Sequence, residues 1–510
     1  MSTTRAAEGQ SEDDAHPQDV AGAGEQGDAP DPNRWKALVV CLVAGFMTLL
    51  DVSIVNVALP SVRQGIGAGE NALQWVVSGY ALTFGLLLVP AGRIGDARGR
   101  RPMFMVGVAV FTLSSVACGF APDPWTLVVA RLVQGFAGGL VTPQISGLIQ
   151  SLFRGQERGK AFGWFGTVVG VSTAVGPLLG GAIIAVFGAD SGWRYVFFVN
   201  VPIGVVALVL ARRWIPHHRR PRGTRTDLDP LGVLLLGLAV VSLLLPFIEQ
   251  QTWHSRLRLL LFPVAAVLLV LWVLHERRYA RHGEPVVNLE LFRLRSYSLG
   301  AALGLLFFAG FTGTFFIYTQ YLQIGLHYSA WQAGLAATPW AIGSAAMAAL
   351  GSRSVLRFGR PLIAGGLVLV LLGLAGTWVA VLLRPGSGVG WAVAAPLLVG
   401  GLGGGLVISP NQTLTLSQVP VVRAGSAGGV LQTGQRIGSA AGIAFTGSVF
   451  YGAVSSTSGD YATAFRHGLV VIAAFVLGAG VLAAVDVLTG RRSSDGDPGR
   501  HHGRHVASGT

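Results

Sequence analysis

Long apolar runs alternate with short polar connections along most of this chain. A helix needs about 20 apolar residues to cross roughly 30 Å of hydrocarbon. Read on that scale, the pattern predicts fourteen membrane-spanning helices, near 37–60, 73–92, 103–121, 125–150, 159–186, 194–213, 230–249, 257–275, 297–324, 331–350, 361–383, 389–416, 425–454 and 462–489.

The predicted helices fall into two sets of six with two further helices between them. A faint repeat between the loops at 92–102 and 351–361 favours a duplicated six-helix unit. The polar ends cannot bury a core and are predicted to be disordered. The predicted regions are a tail (1–35), a six-helix bundle (36–213), basic linkers with two extra helices (214–296), a second bundle (297–489) and a tail (490–510).

Composition supports a membrane protein. The chain has 510 residues, of which 51% are hydrophobic and only 12% are charged, and its mean hydropathy of +0.57 excludes a water-soluble surface. A net charge of +13 in a soluble protein would suggest nucleic acid. Here the basic residues lie between apolar runs, so the expected surroundings are a lipid bilayer and no nucleic acid is expected.

The basic residues predict the orientation. Loops assigned to the inside, with their adjoining helix ends, carry 22 Lys or Arg, whereas the outside loops carry six. Cytoplasmic loops are the ones enriched in basic residues, so both termini are predicted to be cytoplasmic, in a multi-pass protein of the cell membrane. Apart from the tails, only Arg131 and Arg436 remain, deep inside predicted spans.

Four segments carry a resemblance to a known family. Residues 50–60 read LDVSIVNVALP, 92–101 read GRIGDARGRR, 131–139 read RLVQGFAGG and 170–181 read GVSTAVGPLLGG. In this order and spacing they resemble the signatures of the major facilitator superfamily, specifically its fourteen-helix drug:proton antiporter subfamily of the EmrB/QacA type. Ala97 and Ser172 depart from the usual motifs. The resemblance implies an all-α major facilitator fold, two six-helix bundles plus two inserted central helices.

Asp51 is the only carboxylate predicted to lie deep in a span. A charge there costs about 2.5–3.5 kcal/mol on insertion scales, which favours a functional role over simple space-filling. We expect a titrating site that couples proton movement to transport, with Arg131 as its partner. The alternatives are a neutral Asp51 that bonds a neighbouring helix and an Arg131 that is a fixed countercharge. Glu249 and Asp486 are interpreted as solvated helix ends.

The segment at 92–101 is predicted to form an inner gate from Gly92, Asp96, Gly99, Arg100 and Arg101. Glycines permit a tight turn and close helix contact. An anion at position 96 can engage the positive N-terminal end of the helix near Gly425 when the inside is closed. The alternative is a basic membrane anchor, which is the simplest role for Arg98.

The motif in the fifth helix offers packing rather than chemistry. Glycine permits close backbone approach, and a proline inside a helix removes one hydrogen bond and produces a kink. A packing and hinge role is therefore predicted for Gly170, Gly176, Pro177, Gly180 and Gly181.

Aromatic and uncharged polar residues suggest a cavity for an amphiphilic ligand. Hydrogen bonds between helices explain such residues equally well. Arg436 is either a structural counterion or a cation in the cavity. The candidate cavity residues are Asn56, Gln134, Phe315, Tyr318, Gln320, Tyr321, Asn411, Gln412 and Arg436.

The charge count bears on the substrate. A proton that enters through about 100 mV supplies roughly 2.3 kcal/mol, enough for a gradient of about fiftyfold in a neutral compound. Exchange for a monovalent cation would cancel that charge movement. Two buried arginines beside one aspartate therefore favour neutral, zwitterionic or anionic amphiphiles over polycationic dyes.

Together these features predict a proton-coupled efflux transporter for antibiotics or other hydrophobic small molecules, which works by alternating access and confers drug resistance. The alternatives are a dedicated exporter of an endogenous metabolite or lipid and a transport-inactive membrane sensor or scaffold. An enzyme is not expected, because no nucleophile, phosphate loop or metal-ligand pattern occurs in the sequence. No cofactor is expected, because the proton-motive force would drive transport. The protein is expected to function as a monomer.

Overall fold

The computed structural model describes residues 31–188, 190–216, 229–248, 256–283 and 285–495. Those residues form helices joined by short turns, in two six-span halves. The first half contains α1 (Arg34–Ile66), α2 (Glu70–Arg98), α3 (Arg100–Gly119), α4 (Pro124–Leu152), α5 (Gly155–Phe187), α6 (Gly192–Phe198) and α7 (Asn200–Trp214), of which α6 and α7 together form one span.

The second half begins after a 3₁₀ turn at Leu289–Arg293. Its first helix ends in a π-helical turn at Tyr321–Gly325. The helices are α10 (Arg295–Gln320), α11 (Ala330–Phe358), α12 (Arg360–Leu383), α13 (Val389–Ala392), α14 (Ala394–Thr415), α15 (Ala424–Ser456) and α16 (Tyr461–Asp495).

Two more helices lie between the halves, α8 (Pro230–Ile248) and α9 (Leu261–Tyr279). In the described part of the chain, twelve helices are long and apolar enough to cross a membrane, and neither α8 nor α9 is among them. The prediction of fourteen spans is therefore not supported by helix length and composition. In α8 the apolar stretch is only Pro230–Pro246, and α9 ends in the polar sequence HERR at 275–278.

The two halves meet along glycine-rich faces. A β-carbon on Gly429 of α15 would lie 2.4 Å from the Leu88 carbonyl oxygen of α2. On the other side of the molecule, a β-carbon on Gly334 of α11 would lie 3.2 Å from Pro177 of α5. Because glycine has no side chain, these backbones approach more closely than any other residue would permit.

Several carboxylates that the sequence did not mark as buried lie inside the protein. Asp486 is 8% exposed and pairs with Arg295 and Arg360 at 3.0 and 2.6 Å, so the interpretation of it as a solvated helix end is wrong. Asp229 and Glu276 are both fully buried, and Asp229 contacts His275 at 2.8 Å. Asp51 is thus not the only carboxylate removed from water.

The predicted ends of the bundles differ slightly from the helices. Helix α1 begins at Arg34, and α16 continues to Asp495, past the predicted end of the second bundle at 489. Most of both predicted tails (1–30 and 496–510), part of the linker (217–228) and Glu249 lie outside the described residues.

Candidate functional site

A fully buried polar cluster surrounds Asp51 in the middle of the first half. Arg131 Nη1 donates to Asp51 Oδ2 at 2.6 Å. The amides of Gln134 and Asn200 donate to Asp51 Oδ1 at 2.9 and 2.8 Å. None of these four residues is more than 2% exposed. The carboxylate therefore accepts three hydrogen bonds, one of them charge-assisted, in a dry environment.

Arg131 is fixed by contacts beyond Asp51. Its Nε donates to the Val76 carbonyl oxygen at 3.0 Å, and its Nη1 also donates to Gln134 Oε1 at 2.8 Å. The guanidinium lies 4.1 Å from the centre of the Tyr80 ring. A buried arginine needs such partners to offset the loss of water. These contacts leave one ion pair, Asp51 with Arg131, that a proton on Asp51 would weaken.

Sequence reasoning found Asp51 and Arg131 but missed their neighbours. Asn200 begins α7 and reaches Asp51 from another helix, while Ser115 of α3 accepts from Gln134 Nε2 at 2.7 Å. Gln134 was predicted to line the substrate cavity, but the structure places it against Asp51. Its position one turn after Arg131 in the same helix was the available signal, since residues three apart share a helix face.

At the predicted cytoplasmic face, Asp96 joins the two halves. Its carboxylate accepts from the backbone N–H groups of Gly425 and Ser426 at 3.0 and 2.8 Å, at the N-terminal end of α15. A helix N-terminus presents unpaired N–H groups and a positive dipole end. A β-carbon on Gly92 would lie 2.3 Å from the Gly425 carbonyl oxygen, so this close approach requires glycine.

The basic residues of this segment act in different ways. Arg100 donates twice to Asp96 Oδ1, at 3.2 and 2.9 Å, and also to the Gly147 carbonyl oxygen at 2.7 Å. Arg101 donates to the Arg212 carbonyl oxygen, while Arg98 is exposed. Gly99 has φ +105°, which favours glycine. Arg100 therefore ties Asp96 to α4.

The glycines of α5 lie against two other helices. A β-carbon on Gly176 would lie 1.8 Å from Ser53 Oγ of α1, and one on Gly180 would lie 3.0 Å from Ile54. On the opposite side, Gly170 and Gly181 approach α11, with their nearest neighbours at 3.5 and 3.8 Å. The motif thus lies between the first half and α11, where packing of α5 affects how the halves meet.

Most of the candidate cavity residues in the second half bond to neighbouring helices. The Tyr321 hydroxyl donates to the Pro385 carbonyl oxygen at 2.6 Å, and Tyr318 donates to Ala336 at 3.3 Å. Asn411 Nδ2 donates to the Gly300 carbonyl oxygen at 2.9 Å, and Gln320 bonds the Tyr451 hydroxyl. These contacts agree with the alternative of hydrogen bonds between helices.

The remaining cavity candidates lie in different surroundings. Gln412 Nε2 donates to Ser146 Oγ of the first half at 3.4 Å. Phe315 is half-buried against Trp340, and Asn56 is exposed in the predicted outer half of α1. Arg436 is half-buried near the middle of α15, with its guanidinium 4.5 Å from the centre of the Phe84 ring of α2.

The fold and site together define a class of protein. Two six-helix halves are closed against each other at one face, and the first half contains a buried ion pair; two such halves are the organisation of a membrane transporter. A family model described as Major Facilitator Superfamily matches residues 41–443. The chain belongs to this superfamily.

Curated relatives agree with that assignment. The chain is 37% identical over 443 residues to the probable actinorhodin transporter of Streptomyces coelicolor, an alignment that covers 85% of this chain and 76% of the relative. It is 36% identical to the puromycin resistance protein pur8 of Streptomyces alboniger, with 89% and 91% covered. It is 35% identical to the cephamycin export protein CmcT of Amycolatopsis lactamdurans, with 88% and 92% covered.

Solved structures share the fold. The human organic anion transporter MFSD10 (TETRAN) aligns with a TM-score of 0.63 over 89% of this chain and 100% of its own, at 14% sequence identity. At that identity the similarity concerns the fold alone. It supports the arrangement of two six-helix halves in a multi-pass membrane protein.

Proposed function

We propose that this protein exports antibiotics or related amphiphilic small molecules across the cell membrane in exchange for protons. Export is supported by the relatives named above, whose names refer to actinorhodin, puromycin and cephamycin. Proton exchange is supported by the Asp51–Arg131 pair, because a carboxylate buried between helices can bind a proton from one side of the membrane and release it to the other.

The proposed coupling follows from the hydrogen bonds of Asp51. Ionised Asp51 holds Arg131, Gln134 and Asn200, and so ties α1 to α4 and α7. A proton on the carboxylate removes the charge that these donors favour and weakens the contacts between the helices. The hydrogen bonds of Asp96 with the N-terminal end of α15 form a latch that closes the predicted cytoplasmic face. Movement of α1 and α4 would open the opposite face while this latch is closed, as alternating access requires.

A dedicated exporter of an endogenous metabolite remains the second candidate. The relatives from Streptomyces and Amycolatopsis have names that each refer to one compound, which supports a narrow exporter, whereas Stp of Mycobacterium tuberculosis, 34% identical over 81% of this chain, is named a multidrug resistance protein. Both candidates use the same site and the same cycle. They differ only in the range of substrates, and we expect the protein to act as a monomer in either case.

A transport experiment with purified protein tests the proposal. In proteoliposomes, an imposed pH gradient should concentrate a transported compound against its own gradient, and a protonophore should abolish that accumulation. Puromycin, a cephamycin and actinorhodin would serve as probes, together with a susceptibility panel in a pump-deficient host. Accumulation that is unaffected by the pH gradient and by the protonophore would contradict proton exchange.

We further propose that α8 and α9 form a membrane-spanning hairpin, as in the fourteen-helix drug antiporters. Each is 19 residues long, or about 28 Å at 1.5 Å per residue, close to the thickness of the hydrocarbon layer. Helix α8 packs against α2 through Leu82 and Val89. Apolar side chains of the hairpin lie exposed, as a lipid-facing surface requires: Leu231, Leu234, Leu238, Val264, Val267, Val270 and Leu271.

Cysteine labelling distinguishes a spanning hairpin from a surface-bound one. His254, between α8 and α9, would be replaced by Cys; the native Cys41 and Cys118 are both buried and contribute little background. If the hairpin spans the membrane, a membrane-impermeant maleimide should label H254C in intact cells. Labelling only after lysis would contradict it, and a cysteine at the exposed Arg98 serves as the cytoplasmic control.

A further inference from the structure

Arg436 carries a positive charge near the middle of the membrane that the other buried charges do not neutralise. It lies 12 residues after the start of α15, or about 18 Å along the helix. The other arginine at this depth, Arg131, is already paired with Asp51. Among the described residues, no carboxylate forms an ion pair with Arg436, and its guanidinium lies over the face of the Phe84 ring.

Arg436 lies over Phe84, one of two buried aromatic rings, Phe84 and Tyr80, that we call the platform. Phe84 lies next to Tyr80, with ring centres 5.9 Å apart and planes at 30°. Tyr80 in turn lies under Arg131. The glycines of α4 make room for both rings, since a β-carbon on Gly138 would lie 2.9 Å from Phe84 and 3.1 Å from the Tyr80 hydroxyl. The platform holds a guanidinium but supplies only part of the stabilisation that an anion would give.

A second polar group on the same face of α15 also lacks a partner. Thr433 is one turn before Arg436, and residues three apart share a helix face. The Thr433 side chain is 7% exposed, and its Oγ1 forms no hydrogen bond within the described part of the chain. A buried hydroxyl and a half-buried guanidinium that both lack an acceptor form a donor pair for an incoming anion.

We propose that Arg436 and Thr433 bind a carboxylate or phenolate of the exported substrate. This inference rests on the proposed export function and specifies its substrate class as amphiphilic organic acids. The planar guanidinium suits a carboxylate because two parallel N–H groups can donate to its two oxygens. Both donors lie on α15, and Arg436 contacts Phe84 of α2, so the site lies at the junction of the two halves.

A matched pair of ligands tests the charge preference. Anthraquinone-2-carboxylate and the neutral anthraquinone-2-carboxamide have nearly the same shape and differ in charge. Binding of each would be measured by calorimetry with the purified full-length protein in lipid nanodiscs. We expect the carboxylate to bind about tenfold more tightly than the carboxamide, and this ratio to fall to about one in Arg436→Gln.

Three further variants separate the proposal from a general loss of folding. Arg436→Lys keeps the charge without the planar fork and should retain part of the preference. Thr433→Val should reduce the preference less than Arg436→Gln does. Arg194→Gln removes another arginine stacked on an aromatic ring, 4.4 Å from the centre of the Trp193 ring, at the predicted outer face, and should leave the ratio unchanged.

The outcomes are distinguishable from those for export. Equal binding of the two probes to the wild-type protein, absence of carboxylate binding, or an unchanged ratio in Arg436→Gln overturns the anion site. Failure of the wild-type protein to accumulate any compound against its gradient would instead overturn the proposed export function. The binding ratio is measured without a pH gradient and does not depend on that result.

Discussion

Replacing Asp51 with Asn should abolish accumulation driven by a pH gradient, with a residual rate no greater than that of empty liposomes. Asparagine is close to aspartate in shape but cannot gain and lose a proton at this position. It also leaves Arg131 buried without its countercharge, and loss of one partner of a buried pair costs about 3–5 kcal/mol. The measurement is uptake of a transported drug into proteoliposomes with an inside-acid interior.

A folding defect must be separated from a coupling defect. The double variant Asp51→Asn with Arg131→Gln removes both charges, so no unpaired ion remains, and it should elute as a folded monomer yet still fail to concentrate substrate. Asp190→Asn alters an exposed acid of the first half and should transport normally. If Asp51→Asn accumulates substrate at the wild-type rate, another group carries the proton.

Replacing Asp96 with Asn should slow turnover by roughly tenfold or more. The ionised carboxylate accepts from two backbone N–H groups of α15 and from Arg100. A neutral amide keeps the shape but loses the charge that strengthens these bonds and that complements the helix dipole. A loss of about 1.4 kcal/mol or more would shift the opening equilibrium of this gate by at least a factor of ten.

The opening equilibrium can be measured by the labelling rate of a cysteine placed behind the contact of Asp96 with α15. Ser146 is fully buried between α4 and α15, where Gln432 donates to its hydroxyl at 3.1 Å. With Cys41 and Cys118 replaced by Ser, labelling of S146C from the cytoplasmic side should be faster when Asp96 is Asn. Arg98→Gln, an exposed change in the same segment, is the matched control. Unchanged labelling together with unchanged turnover would refute the latch.

Much of the architecture was readable from hydrophobic runs. Within the described residues, each of the fourteen predicted segments contains a helix. A backbone in lipid must satisfy its own hydrogen bonds, which is why long apolar runs predict helices. The number of membrane-spanning helices was harder to predict, since fourteen were expected and twelve helices of the described residues meet the length and composition needed to span. Helix α8 has a short apolar stretch, Pro230–Pro246, and α9 ends in polar residues, so the number of spans depends on where each helix leaves the lipid.

The candidate site was readable only in part. Asp51, Arg131 and Asp96 are charges in or beside apolar runs, where the energetic cost of a charge predicts a functional role. Asn200 and Ser115 are uncharged and common at helix interfaces, so no sequence signal separated them from other polar residues. No role was predicted for Asp229 and Glu276, because their burial depends on how α8 and α9 pack.

The sequence by itself determined that this protein lies in a membrane, where its helical segments are, and which few residues carry a charge inside the lipid at an energetic cost. Those properties depend on composition along one helix at a time. Only the tertiary structure decided which charges meet: Asp51 with Arg131, Asp96 with the N-terminus of α15, and Arg436 with an aromatic ring instead of a carboxylate. Electrostatic and hydrogen-bond energies depend on distances of a few ångströms between helices, and such distances are fixed by packing.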